Sequence, residues 1–209
     1  MSDSIIWVEV GAALVALIGG GAMALTTILK RHKKKKKVRN QVEFEKIHTQ
    51  VHEILTELRL NHDSARTSIV QFHNGGKYYN GTGMQRFSTT HESIAMGVSS
   101  TINNQQDVLL TRYTEMLKHV AKDDAHLIMV GEMPESNFKR YLDYNHVLAF
   151  SMIPIKDEMD TLTIGYLSSE WCSWSKTDDI DEEKIKSDII NARRLISVML
   201  SHKHDKNEA

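Results

Sequence analysis

One cysteine and two prolines in 209 residues, together with several missing signatures, exclude whole classes of protein. The single thiol, Cys172, cannot form an internal disulfide, which fits a reducing compartment. The sequence has no Gly-x-Ser-x-Gly nucleophile motif, and Gly75-Gly76-Lys77 matches only a fragment of a phosphate-binding loop. Positive charge is concentrated near the N-terminus, which argues against a nucleic-acid partner. These absences predict a protein without catalytic residues.

A stretch without charged residues runs from Val10 to Leu29, and most of its positions are apolar or glycine. A helix of that length, at about 1.5 Å rise per residue, crosses the roughly 30 Å hydrocarbon layer of a bilayer. The flank before it carries only acidic charge, whereas Lys30 to Lys37 form a basic cluster that resists translocation. We therefore predict a single-pass protein of the cell inner (plasma) membrane, with its N-terminus outside and its C-terminal domain in the cytoplasm.

Two other interpretations of this stretch are a cleaved signal peptide and a buried helix of a soluble domain. Ala22-Met23-Ala24 resembles a cleavage site, but signal peptides begin with positive charge and this segment begins acidic and ends basic.

Small residues recur every four positions of the uncharged stretch, which would let two membrane helices approach closely. Glycine and alanine are also common in transmembrane helices without any such role. The small residues are Ala12, Ala16, Gly20 and Ala24.

Two segments with heptad-like apolar spacing bracket the central part of the chain. The first seam consists of Phe44, Ile47, Val51, Ile54 and Leu58, and the second of Ile185, Ile189, Ala192, Ile196 and Met199. Steps of three and four are typical of helices that pack against another helix. We predict that these helices pair in a parallel homodimer. The alternative is that each covers one face of the domain's own sheet.

Between the two seams, alternating and β-branched segments come in pairs rather than alternating singly with helices. This order predicts an α+β fold, an antiparallel sheet covered by helices. The predicted strands are Arg66–Phe72, Gln85–Thr90, Ala125–Val130, Val147–Ile155 and Leu162–Glu170, with a turn at 73–76 inside the first hairpin. The predicted helices are Gln105–Lys122, Glu135–Asp143 and Asp181–His202.

The segment Phe150–Ile155, a short acidic turn and the segment Thr163–Ser169 together resemble the signature hairpin of GAF domains. In that family a strand with an apolar-Pro-apolar triplet precedes a strand with an apolar-Gly-apolar-apolar run, and a closing helix follows. Pro154 fits where a strand needs no N–H donor, and Gly165 allows close approach of a neighbouring backbone. The resemblance, over residues 42–203, implies a PAS-like sensor or dimerisation module that binds a small molecule and has no catalytic activity.

A polar, glycine-rich stretch follows the first predicted strand, and more polar groups follow on the second. Such segments are where ligands meet side-chain and backbone donors. We predict five ligand contacts here, and the alternative is a tight turn whose side chains only cap backbone groups. The five are His73, Asn74, Tyr78, Arg86 and Glu92.

Metal binding is not predicted, because none of the eligible side chains has the spacing of a zinc site. The candidates are His73, His91, Glu92 and His119. A membrane-bound, metal-dependent hydrolase that uses His73, His91 and Glu92 is kept only as an alternative. The sequence identifies no cofactor.

The sequence thus predicts a membrane-anchored GAF-like sensor or regulatory module, dimeric and without an output domain of its own, that binds a small polar ligand or a protein partner. The alternative is a structural or interaction protein, a scaffold with an empty GAF-like fold, including one encoded by a virus. The predicted organisation is an extracytoplasmic N-terminus (1–9), a transmembrane helix (10–29), a polybasic segment (30–39), a linking helix (40–64), a GAF-like domain (65–203) and a tail (204–209).

Overall fold

A computed structural model describes most of the chain after residue 40. The described residues are 41–77, 83–157, 159–173 and 181–201. None of the helices in these ranges is long and apolar enough to cross a bilayer. The predicted transmembrane segment 10–29 and the polybasic segment lie outside the described residues. The chain divides into two compact units, Met1–Lys46 and Ile47–Ala209, and the sheet and the helical residues from Ile47 onward belong to the second.

The domain is built on one six-stranded sheet in the order β3-β2-β1-β6-β5-β4, and every strand pair is antiparallel. This confirms the α+β prediction. The strands are β1 (Arg66–Lys77), β2 (Gly83–Ile94), β3 (Val108–Leu109), β4 (Ile128–Met129), β5 (Ala149–Lys156) and β6 (Thr163–Trp171). The helices are α1 (41–61), α2 (Thr114–Val120), α3 (Asn137–Tyr144) and α4 (Glu182–Ser201), with 3-10 turns at Leu110–Arg112 and Val130–Glu132.

Helices α1 and α4 pack on one face of the sheet, which we call the α1/α4 face. Both predicted seams contribute to its core. The buried seam residues are Val51, Leu58, Ile185, Ile189, Ala192 and Ile196, joined by Leu55 and by sheet residues such as Ile69, Ile153 and Leu167. Phe44 is the exception, at 49% exposed. The seams therefore cover the domain's own sheet, as the alternative predicted, and homodimer formation stays a prediction.

Helices α2 and α3 pack on the opposite face, the α2/α3 face. Their buried residues include Met116, Val120, Phe138 and Leu142, which meet Val70, Phe87, Phe150 and Tyr166 of the sheet. Phe138 contacts Phe150 edge-on, with ring centroids 5.5 Å apart. Each face thus has its own apolar core, because the strands present alternate residues to opposite sides.

Two sequence predictions fail where tertiary pairing outweighs local pattern. The predicted turn at 73–76 lies inside β1, whose pairing with β2 continues past an irregularity between Asn74 and Lys77. The first half of the predicted helix 105–122 is not helical, because the β3 residues Val108 and Leu109 pair with β2. Gln105 also bonds to Thr89 of β2, with 2.8 Å from the Thr89 amide nitrogen to the Gln105 carbonyl oxygen.

The GAF-like hairpin forms as predicted from β5 and β6. A Cβ added to Gly165 would lie 2.0 Å from the carbonyl oxygen of Val70, so only glycine permits the observed approach of β1 to β6. Pro154 lies opposite Tyr166 in the β5–β6 ladder, while β4 pairs with β5 only at Ala149 and Phe150. The proline thus occupies a stretch of β5 with one strand neighbour in the described part of the chain, where a missing N–H is tolerated.

Candidate functional site

The predicted ligand contacts at the end of the β1–β2 hairpin form a partly exposed group. His73 lies directly opposite Arg86 in the strand register, and its Nε2 is 3.0 Å from Ser88 Oγ. Arg86 donates through Nη1 to both the carboxylate of Asp107 (2.7 Å) and its carbonyl oxygen (2.6 Å). Asp107 has a positive φ of 56°, a conformation that aspartate tolerates better than most residues. These contacts fix the side chain of Arg86.

Gly75 of this hairpin leaves room for the side chain of Arg86. A Cβ on Gly75 would lie 2.2 Å from Nε of Arg86, so the missing side chain leaves the path that the arginine takes. Asn74 is exposed and accepts a hydrogen bond from Gln85 at 3.1 Å. Tyr78 lies outside the described residues.

Glu92 does not join that group, because it lies on the other face of the sheet. Ile69 pairs with His91 and Val70 pairs with Thr89, so Thr90 is an extra residue in β2. A one-residue bulge reverses which face the following side chains take. The structure therefore brings His73 and Arg86 together and places Glu92 elsewhere, and ligand contact by the five residues stays a prediction.

Glu92 belongs to a buried ion cluster on the α2/α3 face with Arg66 and Glu170, which we call the Arg66 cluster. Arg66 is 1% exposed, and the side chains of Glu92 and Glu170 are 4% and 9% exposed. Arg66 Nε lies 3.2 Å from Glu92 Oε1, and Nη1 donates to the Glu170 carboxylate. Three charged groups, at the start of β1 and on the neighbouring strands β2 and β6, are thereby removed from water.

The loop 95–107, which connects β2 to β3, closes over the Arg66 cluster through polar contacts. Arg66 Nη2 donates to the carbonyl oxygen of Ser99 at 2.8 Å. Glu92 Oε1 accepts from both the amide (2.9 Å) and the hydroxyl (2.7 Å) of Thr101. The loop's position therefore depends on the charges beneath it.

The cluster holds two acids and one base, and its electrostatics reflect that imbalance. Burial raises the pKa of Glu170, Arg66 opposes this, and the negative charge of Glu92 adds to it. Burial also raises the pKa of the nearby Tyr141 phenol, and Glu170 raises it further. The site therefore favours an added proton, a cationic group or a hydrogen-bond donor over an anion.

The four candidate metal ligands are dispersed. His91 faces α1, Glu92 faces Arg66, and His119 contacts Phe150 edge-on at 5.7 Å between ring centroids. In the ranges that the structure describes, no group of three or more histidine, cysteine, aspartate or glutamate side chains could hold a metal ion.

Sequence reasoning did not identify Arg66, Glu170 and Tyr141. The available signal was the charge itself: Arg66 begins, and Glu170 nearly ends, strands whose neighbouring residues are buried. A charged residue in such a strand is almost never fully buried without a partner. The signal indicates burial with a partner, but not which partner.

No protein-family model and no curated protein matches the sequence. Among solved structures, the chain is similar to the phycocyanobilin-bound GAF domain of a cyanobacterial phytochrome (TM-score 0.59, 14% identity, covering 83% of this chain and 95% of that one). It is also similar to a far-red cyanobacteriochrome photoreceptor (TM-score 0.58, 13% identity, 84% and 98% covered). A phycoerythrobilin-bound GAF domain from a cyanobacterial phytochrome gives a TM-score of 0.54 at 14% identity, with 80% and 91% covered. These likenesses show that the chain has a GAF-like fold.

Proposed function

We propose that this protein is a membrane-anchored, dimeric sensor module that binds a small polar ligand on the α2/α3 face of its sheet. The observation that carries the proposal is the Arg66 cluster, buried beneath the loop 95–107. The solved structures that share the fold are photosensory domains, two of them bound to a bilin chromophore. A sensor role without catalysis is therefore consistent with the fold, and the ligand of this chain has to be argued from its own residues.

Burying three charges is expensive, since each ion loses several kcal/mol of hydration. Replacing such a group with apolar side chains is often neutral or stabilising, so stability alone does not account for it. A ligand-binding role does, because a fixed guanidinium flanked by two carboxylates can orient a polar molecule. The excess acid favours a ligand with an amine, a guanidine or another donor group near Glu170 and Tyr141. Movement of the loop 95–107 would report its binding.

Membrane anchoring and dimer formation are parts of the proposal that depend on other residues. The anchor is the uncharged stretch 10–29 with its basic flank. The dimer is supported by the small residues of that stretch and by two apolar side chains on the outer surface of α4, Leu195 (55% exposed) and Val198 (63% exposed). Ligand binding in one domain would then reach its effect through a partner protein.

The scaffold alternative also has an observation in its favour. The α2/α3 face is filled by the protein's own side chains, including Phe87, Phe138 and Phe150. The charged groups of the Arg66 cluster contact one another and the loop above them. A protein with this interior could serve only to bind a partner.

A thermal-shift screen of the whole chain in mild detergent tests the proposal. The compounds are amines, amino acids, nucleotides, nucleobases and divalent metals. A ligand at one hundred times its dissociation constant stabilises the folded state by about 2.7 kcal/mol, which raises the midpoint by several degrees.

Three variants locate the binding site. A shift that E170Q abolishes and H73A and R86A preserve supports binding at the Arg66 cluster. A shift lost in H73A and R86A but kept in E170Q moves the site to the hairpin end. A flat screen supports the scaffold, and stoichiometric metal in the purified protein would instead support the hydrolase alternative.

A further inference from the structure

Two histidines meet between α1 and β2, on the face of the sheet opposite the proposed ligand site. His48 Nδ1 lies 2.6 Å from His91 Nε2. The ring centroids are 4.8 Å apart and the ring planes differ by 11°. Two rings that lie end to end have a centroid separation equal to the nitrogen–nitrogen distance plus the radius of each ring. The observed separation is close to that sum. The rings therefore lie edge to edge in almost one plane, and the two nitrogens point at each other.

The surroundings of His91 determine which nitrogen carries the proton. The Thr90 hydroxyl donates to the carbonyl oxygen of Ile69 at 3.4 Å, and its oxygen lies 3.0 Å from His91 Nδ1. Because the hydroxyl hydrogen is directed to Ile69, the oxygen accepts from Nδ1–H of His91. Nε2 of His91 then holds a lone pair, and His48 Nδ1–H donates to it.

A metal ion does not fit between these nitrogens. Zinc binds imidazole nitrogen at about 2.0–2.1 Å in tetrahedral geometry, so two nitrogen ligands of one ion stand about 3.3 Å apart, farther than the two nitrogens of this pair. The contact accommodates one proton. It also tolerates a charge on His48, since an imidazolium there still donates to Nε2. When both rings are charged, the second proton, on Nε2 of His91, makes both nitrogens donors and ends the hydrogen bond.

We propose that the His48–His91 pair is an acid-sensitive latch, which holds segment 47–58 of α1 on β2 at neutral pH and releases it when His91 is protonated as well as His48. His91 is 8% exposed, so its charged form is more favourable where α1 has moved away and water reaches the ring.

The size of the effect follows from the change in proton affinity. Burial, together with the charges of His48 and His52, lowers the pKa of His91 to about 4. In the released state the pKa returns to about 6.5. The closed state binds fewer protons than the released state between these values, so its advantage is complete above pH 6.5 and is lost as the pH falls towards 4. The released population rises about tenfold per pH unit, or about 300-fold in all.

Other titratable groups lie near the pair or at the end of the same helix. From α1, the titratable side chains acting on His91 are His48 and His52. Ile69 of β1 and Thr90 of β2 adjoin it and do not titrate. Just beyond the far end of α1, His62 contacts Asp188 of α4 at 3.1 Å. Burial lowers the pKa of His62, and Asp188 only partly opposes that shift. The folded state therefore disfavours a proton on His62 as well, and acid does not secure the far end of α1.

Hydrogen–deuterium exchange of the whole chain in detergent, read by mass spectrometry at pH 7, 6 and 5, tests the latch. Protection factors are used because they correct for the intrinsic pH dependence of exchange. We expect protection of residues 47–58 to fall about tenfold per pH unit below 6.5, relative to β5 and β6. An equal fall in β5 and β6 would mean that acid destabilises the whole fold, and it would overturn the proposal.

Variants and a direct titration complete the test. H91Q offers a similar acceptor without a titrating ring, so it should remove the pH dependence of α1 protection. The matched control H126Q changes an exposed histidine beside Asp124 and Glu182, and it should keep the wild-type profile. If H91Q does not fold, ¹⁵N NMR of the wild-type histidines still decides the matter. His91 should carry its proton on Nδ1 and titrate below pH 5, and titration near pH 6.5 would refute the latch.

Discussion

Replacing Arg66 with methionine should lower the free energy of unfolding more than most single substitutions in this domain. The size of the loss should depend on pH. Methionine keeps the length of the buried side chain but removes the guanidinium. Glu92, 3.2 Å from Arg66 Nε, and Glu170 lose their cation, and the Ser99 carbonyl oxygen loses its donor at 2.8 Å. Removing one partner of a buried ion pair costs about 3–5 kcal/mol, because a buried charge is left uncompensated.

The pH dependence identifies the cause of that loss. In wild type the pKa of Glu170 is raised by burial, and Arg66 opposes the rise. Without the guanidinium the pKa rises further. The folded state then binds a proton more readily than the unfolded state, whose glutamates titrate at about 4.3. R66M should therefore regain stability relative to wild type as the pH falls from 8 to 5, and lose it again as the pH rises.

Urea denaturation followed by far-UV circular dichroism at pH 8 and pH 5 measures both effects. R112M provides the control, because it makes the same substitution at an exposed arginine and should change stability by less than about 0.5 kcal/mol. Adding E170Q to R66M should recover part of the loss at pH 8. A cost below about 1 kcal/mol at pH 8, or the same cost at both pH values, would show that the cluster does not hold its charges as argued.

Two further substitutions test the packing that positions the cluster. G165A should cost about 3 kcal/mol in urea denaturation, because the new methyl group would meet the Val70 carbonyl oxygen at 2.0 Å and backbone does not move aside cheaply. G131A has no atom within 4 Å of its added Cβ and should stay within about 1 kcal/mol of wild type, so equal losses would contradict the reasoning. S136A should cost about 1 kcal/mol, because Ser136 caps α3 by accepting from the Lys139 amide at 3.0 Å. Unchanged stability of S136A would mean that the cap contributes nothing.

The parts of the fold that could be predicted are those encoded by local pattern. The strands β5 and β6 and the closing helix α4 follow from alternation and from steps of three and four residues, because burial on one side imposes those periods. Residues 105–113 have helical spacing and yet form β3 and a 3-10 turn. Their hydrogen bonds to Thr89 and to other residues of β2 outweigh the local preference for a helix. The local sequence pattern does not indicate that pairing.

The candidate site was less predictable, for a geometric reason. Arg66 and Glu170 are 104 residues apart in the chain, and neither residue type indicates the other. The bulge at Thr90 inserts one residue and thereby moves Glu92 to the opposite face from Arg86. No sequence signal distinguishes a bulged strand from a regular one here. A single extra residue therefore separated Glu92 from His73 and Arg86.

The short outer strands have a consequence for how this protein can assemble. β3 and β4 each pair over only two residues, so much of the outer edges of β2 and β5 has no strand neighbour in the described ranges. An open edge invites another chain to extend the sheet and to aggregate. Pro154 lacks the N–H that such an added strand needs, and Lys156, held by Asp123 at 2.7 Å, adds charge at the end of β5. These residues block growth of the sheet at β5, so a strand added by another chain would pair with the outer edge of β2 instead.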